Sequence, residues 1–382
     1  MQILSLNFLI YTICGMWRPT EWLSNGAKFL YNIFTCIVLI SEYFFTLTQF
    51  LDLLFVVDNI DDFVANSIFL ISVAALIYKA TLVVTRRNAI ISLVQVLLTA
   101  PCKPQDEDEV AIQTKFDQFI RSCSMKYLLL CTSSLTGVII GSVLNIMYGQ
   151  LPIRTWLPWN VTNVPLVFWI ISVQQIMSVI FGTLINVGTE TLIFGLFIQT
   201  CAQIEIFESR LQKLIINITY LDTLSLSSKD KTRMSESIRH HLSIYKYAKT
   251  VNVTFSKVLF IQFFVSTMVI CISVYYMSTH ITELSEITTL LAYTISMFVQ
   301  IYIYCWSGNE VILKSQNIGD AVYHMDWPLL SVNERKALLM IMMRSTIPIK
   351  FTSSFLITFS LQSYSNILKT SYSAFNVLQT RT

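Results

Sequence analysis

Eight polar residues near the C-terminus recur at steps of three and four within an otherwise apolar stretch: Ser354, Thr358, Gln362, Ser365, Lys369, Ser373, Asn376 and Thr380. At 3.6 residues per turn those steps draw one stripe down a helix. Phe355, Phe359, Leu361, Ile367, Leu368, Phe375, Val377 and Leu378 fill most of the remaining circumference. Hydroxyl, amide and ammonium groups in a row can solvate ions and water. A rod of about 27 residues, about 40 Å long, crosses a bilayer. A polar stripe at that depth must face protein or water. It serves either as glue between helices or as the wall of a water-filled path, and eight positions in register, a lysine among them, favour the path.

Bond-making chemistry has no comparable residues. His240 and His241 are adjacent, so on a helix they diverge by about 100°, and His280 and His324 are isolated. No H-x-x-x-H, C-x-x-C, paired-carboxylate, G-x-S-x-G or Walker pattern is present. The sequence predicts no enzyme, no metal site and no cofactor.

The elements that must position such a stripe are membrane spans. The chain of 382 residues is 54% hydrophobic and 13% charged, against about 25% charged in a soluble domain, and its mean hydropathy is +0.60. A net charge of +3 without a basic block gives no footing for nucleic acid. Seven stretches are long and apolar enough to span: 27–50, 63–84, 127–148, 164–187, 255–277, 287–306 and 351–378. The fold class is therefore all-α, a bundle of seven transmembrane helices. Residues 1–26 lack a basic leader and a small-x-small cleavage site, so they read as an interfacial segment rather than a signal peptide.

Charge fixes the expected orientation. Segments on the N-terminal side of the membrane hold 22 of the 26 Lys and Arg residues, and only Arg154 and Arg381 fall on the other side. The positive-inside rule then puts the N-terminus in the cytoplasm and the C-terminus outside. That topology is inverted relative to a G-protein-coupled receptor. The outer loops contain no cysteine, and the eight cysteines read as small buried hydrophobes.

Several positions within the spans stand out. Glu42 is an ionisable group at membrane depth, expected to face the bundle interior. The loop after it carries Asp52, Asp58, Asp61 and Asp62 with no basic residue. Lys79, at the end of the second span, is expected to snorkel to the interface. Ser134, Gly137 and Gly141 share one face of the third span, where small residues allow close packing or hollow out a cavity. Residues 188–254 continue the helical pattern beyond the fourth span as an amphipathic cytoplasmic anchor. Residues 307–350 form a second cytoplasmic segment, with a short helix over 332–346 opened by the Ser331/Glu334 capping box and stopped by Pro348.

Both ends of the chain resemble the insect odorant receptors. The resemblance rests on Ser371-Tyr372-Ser373-Ala374-Phe375, on Tyr304-Cys305-Trp306 with Gly308-Asn309, Ser315, Ala321, Tyr323 and Trp327, and on Gly15-Met16-Trp17-Arg18-Pro19. It implies a ligand-tuning subunit of an odorant-gated cation channel in the plasma membrane of a sensory neuron. It also implies a hetero-tetramer with the family's shared co-receptor, in which residues 351–382 line the pore. Carried onto this sequence, it assigns pore and gate roles to Ser373, Asn376, Val377 and Thr380. It also implies a pocket for a small volatile molecule among the second, third, fourth and sixth spans, at Ile71, Ser72, Ser134, Gly137, Gly141, Met177, Phe181, Leu290, Tyr293 and Met297. Two other readings remain open at this stage: a seven-span receptor signalling through a cytoplasmic partner, and a gustatory-type channel.

The orientation has a direct test. An epitope after Thr382 is expected to stain intact cells, and Asn160 to be the only sequon glycosylated. Staining confined to permeabilised cells, or a glycan on Asn217 or Asn252, would reverse the assignment.

Overall fold

The polypeptide turns back on itself wherever a cap is written into it. Ser24 accepts a hydrogen bond from the Ala27 amide (3.2 Å) and opens α2, Asn25–Phe55. Glu107, Asp108 and Glu109 place carboxylates in the first turn of α5, Glu107–Met147, where the helix dipole favours them. Pro165 stands at the first position of α6, Pro165–Leu221. The remaining helices are α1 (Ser5–Ile13), α3 (Ile60–Thr85), α4 (Arg87–Leu98), α7 (Ser228–Thr279), α8 (Leu284–Tyr323), α9 (Val332–Ser345) and α10 (Leu361–Gln379). The computed structural model describes residues 4–19, 24–56, 60–158, 164–221, 228–279, 284–325, 330–354 and 357–379.

Six of these helices, α2, α3, α5, α6, α7 and α8, are long and apolar enough to cross a membrane. Their outward faces carry large exposed apolar side chains such as Phe29, Ile40, Leu129, Leu166 and Trp169, the surface a lipid solvent requires. The 57 residues of α6 and 52 of α7 exceed one crossing, since about 20 suffice. Beyond the spans these helices continue, with α5 and α8, into a packed basic pole. There Phe197, Phe207, Leu211, Ile244 and Val251 are buried in one continuous core.

At that pole one arginine clamps the chain crossing from α4 to α5. Arg210 on α6 meets both carboxylate oxygens of Glu109 (2.8 and 2.7 Å) and donates to the carbonyls of Pro101 and Lys103. Burial pushes the Glu109 carboxyl up, but the hydrogen bonds from Arg210 and from the Gln105 amide together hold it below the usual carboxylate range. His240 donates from Nε2 to Gln203 (3.0 Å), because its Nδ1 faces Arg210 (3.3 Å), which is only a donor. A second proton would have to point at the guanidinium. Burial first, and then Arg210, lower the His240 pKa to about 3; burial and Arg344 lower that of His241 to about 4.

The N-terminal segment packs along α6. Asn7 donates to Thr191 (2.6 Å) and Tyr11 to Thr189 (3.1 Å). Gly15 ends α1 with φ +76°, a conformation that favours glycine, and a Cβ there would stand 2.8 Å from Phe34. The turn delivers the carbonyl of Trp17 to the Tyr31 hydroxyl (2.9 Å) and that of Arg18 to Arg87 (3.2 Å).

The last expected span is not one helix. Two short strands, β1 (Thr352–Ser353) and β2 (Ile357–Thr358), pair antiparallel as a hairpin, with Thr352 opposite Thr358 and Ser353 opposite Ile357. Helix begins only at Leu361, capped by Ser360, which accepts from the Ser363 amide. Run from 351 to 359, Phe, Thr, Ser and Ile suit a pleated ribbon better than a helix. Phe351 stacks flat on Phe197 (3.8 Å), and the Phe359 amide donates to the Phe351 carbonyl (3.0 Å). Ser354 and Thr358 therefore leave the polar stripe, and the 19-residue α10 measures about 28 Å rather than 40. The capping box at α9 is present as expected, with Ser331 and Glu334 bonding each other's amides.

The histidines make stability depend on pH in a defined direction. An unfolded histidine takes a proton near pH 6.5, whereas His240 and His241 resist it until about 3 and 4. The unfolded chain thus binds more protons in this window, and stability falls as pH drops below about 6.5. The thermal midpoint of detergent-solubilised protein is expected to fall by several degrees from pH 7 to pH 5. The double variant His240→Gln/His241→Gln should flatten that slope.

Candidate functional site

Small residues on α5 and α6 leave space between the helices of the bundle that larger side chains would fill. Ser134, Gly137 and Gly141 on α5 face Gly182 on α6, and a Cβ at Gly141 would meet nothing within 4 Å. The result is a cavity of about 790 Å³ bounded by α2, α3, α5, α6, α7 and α8. That volume falls within the range of small-molecule pockets. Its walls are apolar, with Phe45, Phe69, Leu76, Val138, Val265 and Met297, and a few polar groups converge on it. Tyr293 and Ser72 share a hydrogen bond of 2.6 Å across α8 and α3. Ser134 Oγ and Gln300 Nε2 are buried without a hydrogen-bond partner among the described residues.

The floor is ionic. Lys79 on α3 contacts Glu190 Oε1 (2.5 Å) and Asn186 Oδ1 (2.7 Å), both on α6, and the side chains of Lys79 and Glu190 are only 3% and 4% exposed. The expectation that Lys79 snorkels to the interface is corrected. With an acceptor one helix away, the ammonium is satisfied inside the bundle and has no need to reach water. Asp52, read from sequence as one of an unpaired acidic group, sits 3.5 Å from Arg154 and accepts from Asn66 (3.2 Å). It ties the C-terminal part of α2 and the N-terminal part of α3 to the chain between α5 and α6.

Ser72, Ser134, Gly137, Gly141, Leu290, Tyr293 and Met297, expected from sequence as ligand contacts, all line this cavity. Ile71, Met177 and Phe181 do not. Each is one residue off the lining positions Ser72, Ser178 and Gly182 and so is turned about 100° away. Ile71 packs against the Ile68, Ala75, Val265 and Val269 cluster, Met177 is exposed, and Phe181 packs edge-on to Phe34. Sequence reasoning missed the floor. Its signal was present in Lys79 and Glu190, opposite charges in two apolar helices, with Asn186 one turn before Glu190 on the cavity face of α6.

The other sequence-derived residues lie on or beyond α10. Ser373 and Asn376 are exposed on its polar face. Val377 is within α10, though its side chain lies outside the described positions, and Thr380 and Asn160 lie outside the described residues altogether. The base of α10 is fixed against α8. A Cβ at Gly308 would stand 2.5 Å from the Phe359 carbonyl oxygen, and Ser315 Oγ accepts the Ile349 amide (3.0 Å). Asn252, a sequon residue on α7, holds Thr352 through two hydrogen bonds (2.9 and 3.2 Å).

A helical bundle with an apolar exterior, around a mostly apolar cavity with a buried ion pair at its floor, is a membrane-protein architecture with room for a small molecule. The sequence profile of the 7tm Odorant receptor family matches residues 59–372, and the chain belongs to the insect odorant receptor family. It is 28% identical to odorant receptor 46a, isoform A, of Drosophila melanogaster over 234 residues, which is 61% of this chain and 60% of that relative. The chain thus spans less than two thirds of that relative's length. With odorant receptor Or1 of Anopheles gambiae it shares 23% over 408 residues, covering 99% of this chain and 94% of the other. The fold matches the solved olfactory receptor OR5 of Machilis hrabei in complex with eugenol, with a TM-score of 0.85 and 14% identity over 99% of this chain and 98% of that one.

The floor pair is expected to behave as a unit. Lys79→Met should leave Glu190 unpaired and cost about 3–5 kcal/mol, enough to abolish surface expression, whereas Lys79→Met/Glu190→Leu should restore much of it. Surface biotinylation and the thermal midpoint of the four forms measure the coupling.

Proposed function

We propose that this chain is a ligand-tuning subunit of an odorant-gated, non-selective cation channel, assembled with the family's co-receptor around a shared pore in the plasma membrane of a sensory neuron. The observation that carries the reading is the uncovered polar face of α10. Gln362, Ser365, Asn366, Lys369, Thr370, Ser373 and Asn376 are exposed in the single chain, while Ile367 and Ser371 are turned inward. A polar helical face needs water or other subunits within a membrane. A central pore walled by one α10 from each of four subunits supplies both.

In this reading the cavity of about 790 Å³ holds the odorant. The eugenol complex of the Machilis receptor, similar in fold, supports a small organic occupant. Filling the cavity favours the arrangement in which the α10 helices stand apart, a population shift set by the ligand's preference for that state. A ring of Val377 side chains is the apolar constriction that conducts once widened and hydrated, with Ser373, Asn376 and Thr380 as polar rings beside it. The seven lining residues anticipated from sequence are the proposed ligand contacts, and the basic pole is the proposed cytoplasmic anchor between subunits.

Odorant-evoked current in cells expressing the chain with the co-receptor tests the proposal. Currents should persist in excised patches without nucleotides; dependence on a cytoplasmic partner would sink the channel reading. Val377→Ser should raise basal current without odorant. Gly141→Leu fills open space, so it should spare surface expression and shift the response toward smaller odorants.

A further inference from the structure

The cavity is lined by one carboxyl group that its neighbours leave without a partner. Glu42 on α2 lines it and is 2% exposed. Among the described residues no hydrogen bond or ion pair reaches its carboxyl group. The only cation among the lining residues, Lys79, is engaged by Glu190 and Asn186. The hydroxyls close by are also taken. Ser178 is bonded to Ser41 and Gln174, and Thr183 donates to the Val179 carbonyl. On the facing wall α6 presents Gly182, where even a Cβ would stand 3.8 Å from Glu42 Oε2, so no side chain covers the carboxyl group there. A buried polar group is ordinarily hydrogen-bonded, and an unpaired carboxylate is among the costliest groups to bury. Glu42 is aimed into the cavity with its partner missing.

We propose that Glu42 is the anchor for odorants that carry a basic nitrogen. A small amine would set its ammonium against this carboxylate and lay its hydrocarbon tail along Phe45, Leu76 and Met297. An alcohol also donates a hydrogen bond, but only a cation supplies the opposite charge that Glu42 lacks, because Lys79 is held by Glu190. A charge-assisted hydrogen bond is moreover about twice as strong as a neutral one. The inference rests on the reading of the cavity as the odorant site and adds the chemical class of its occupant.

Currents from the full-length chain with the co-receptor, elicited by hexylamine, hexan-1-ol and hexyl acetate, test it with the tail held constant. Hexylamine is expected to act at a concentration at least tenfold lower than hexan-1-ol. Glu42→Gln should raise the hexylamine requirement tenfold or more while leaving hexyl acetate within twofold. Equal potency of amine and alcohol in the unmodified receptor overturns the proposal, and that comparison stands even where Glu42→Gln fails to reach the surface. So does an equal shift of all three ligands in the variant, or silence to amines from butylamine to octylamine while other odorants open the channel. Gly141→Leu separates the two layers. If it shifts hexyl acetate but no amine preference exists, only the Glu42 assignment fails. If it shifts no odorant response, the cavity is not the ligand site.

Discussion

The ion pair between Lys79 and Glu190 is the constraint on which the arrangement of the bundle depends. In an apolar interior neither charge survives alone, and removing one partner is far worse than removing both. The pair therefore sets the register of α3 on α6, with Asn186 as a second acceptor one turn away. That register turns Ser72 and Leu76 of α3 and Ser178 and Gly182 of α6 toward the same space. The cavity exists because α3 and α6 are pinned at its floor while Ser134, Gly137, Gly141 and Gly182 leave the space above unfilled.

The same floor adjoins the chain that leads to α10. The Tyr304 hydroxyl neighbours Glu190, and its ring lies 6.1 Å from that of Phe359. Phe359 also meets Phe197 and Phe263, and its carbonyl presses against Gly308. A short series of packed side chains thus joins the polar floor to the hairpin. The Tyr304-Cys305-Trp306 and Gly308 segment, which marks the family in sequence, lies on that route.

Much of this was legible in the amino-acid order. Six spans followed from apolar length alone, and the short helix α9 from its capping box. The shared face of Ser134, Gly137 and Gly141 was legible, though it suited close packing as well as the cavity they line. The hairpin was missed because the three-and-four spacing of the polar residues continues back through Ser354 and Thr358 and masked the strand-favouring composition of Phe351 to Phe359. What decides it is tertiary: the ring of Phe197 beneath Phe351 and the bare backbone of Gly308 beside Phe359. The pairing of Lys79 was hidden for a similar reason. An ammonium near a span end satisfies a snorkelling rule until the partner helix is known to supply Glu190. Register errors of one residue account for Ile71, Met177 and Phe181, since periodicity defines a face only to within about 100°.

The hairpin also limits how α10 is able to move. Sliding the final helix along its axis by one residue would break the bond from the Phe359 amide to the Phe351 carbonyl and drive a side chain into the gap at Gly308. Rotation about its own axis would tear Ser363 from the Thr358 carbonyl (2.6 Å) and from its cap, Ser360. Tilting about Ser360 breaks neither set of contacts. A helix mounted this way is a cantilever: its base is stiff, and displacement grows with distance from the mount. Over about 28 Å, a tilt of about 10° at the base carries the far end some 5 Å, so the largest displacement falls at the far end of α10 and the smallest at the hairpin.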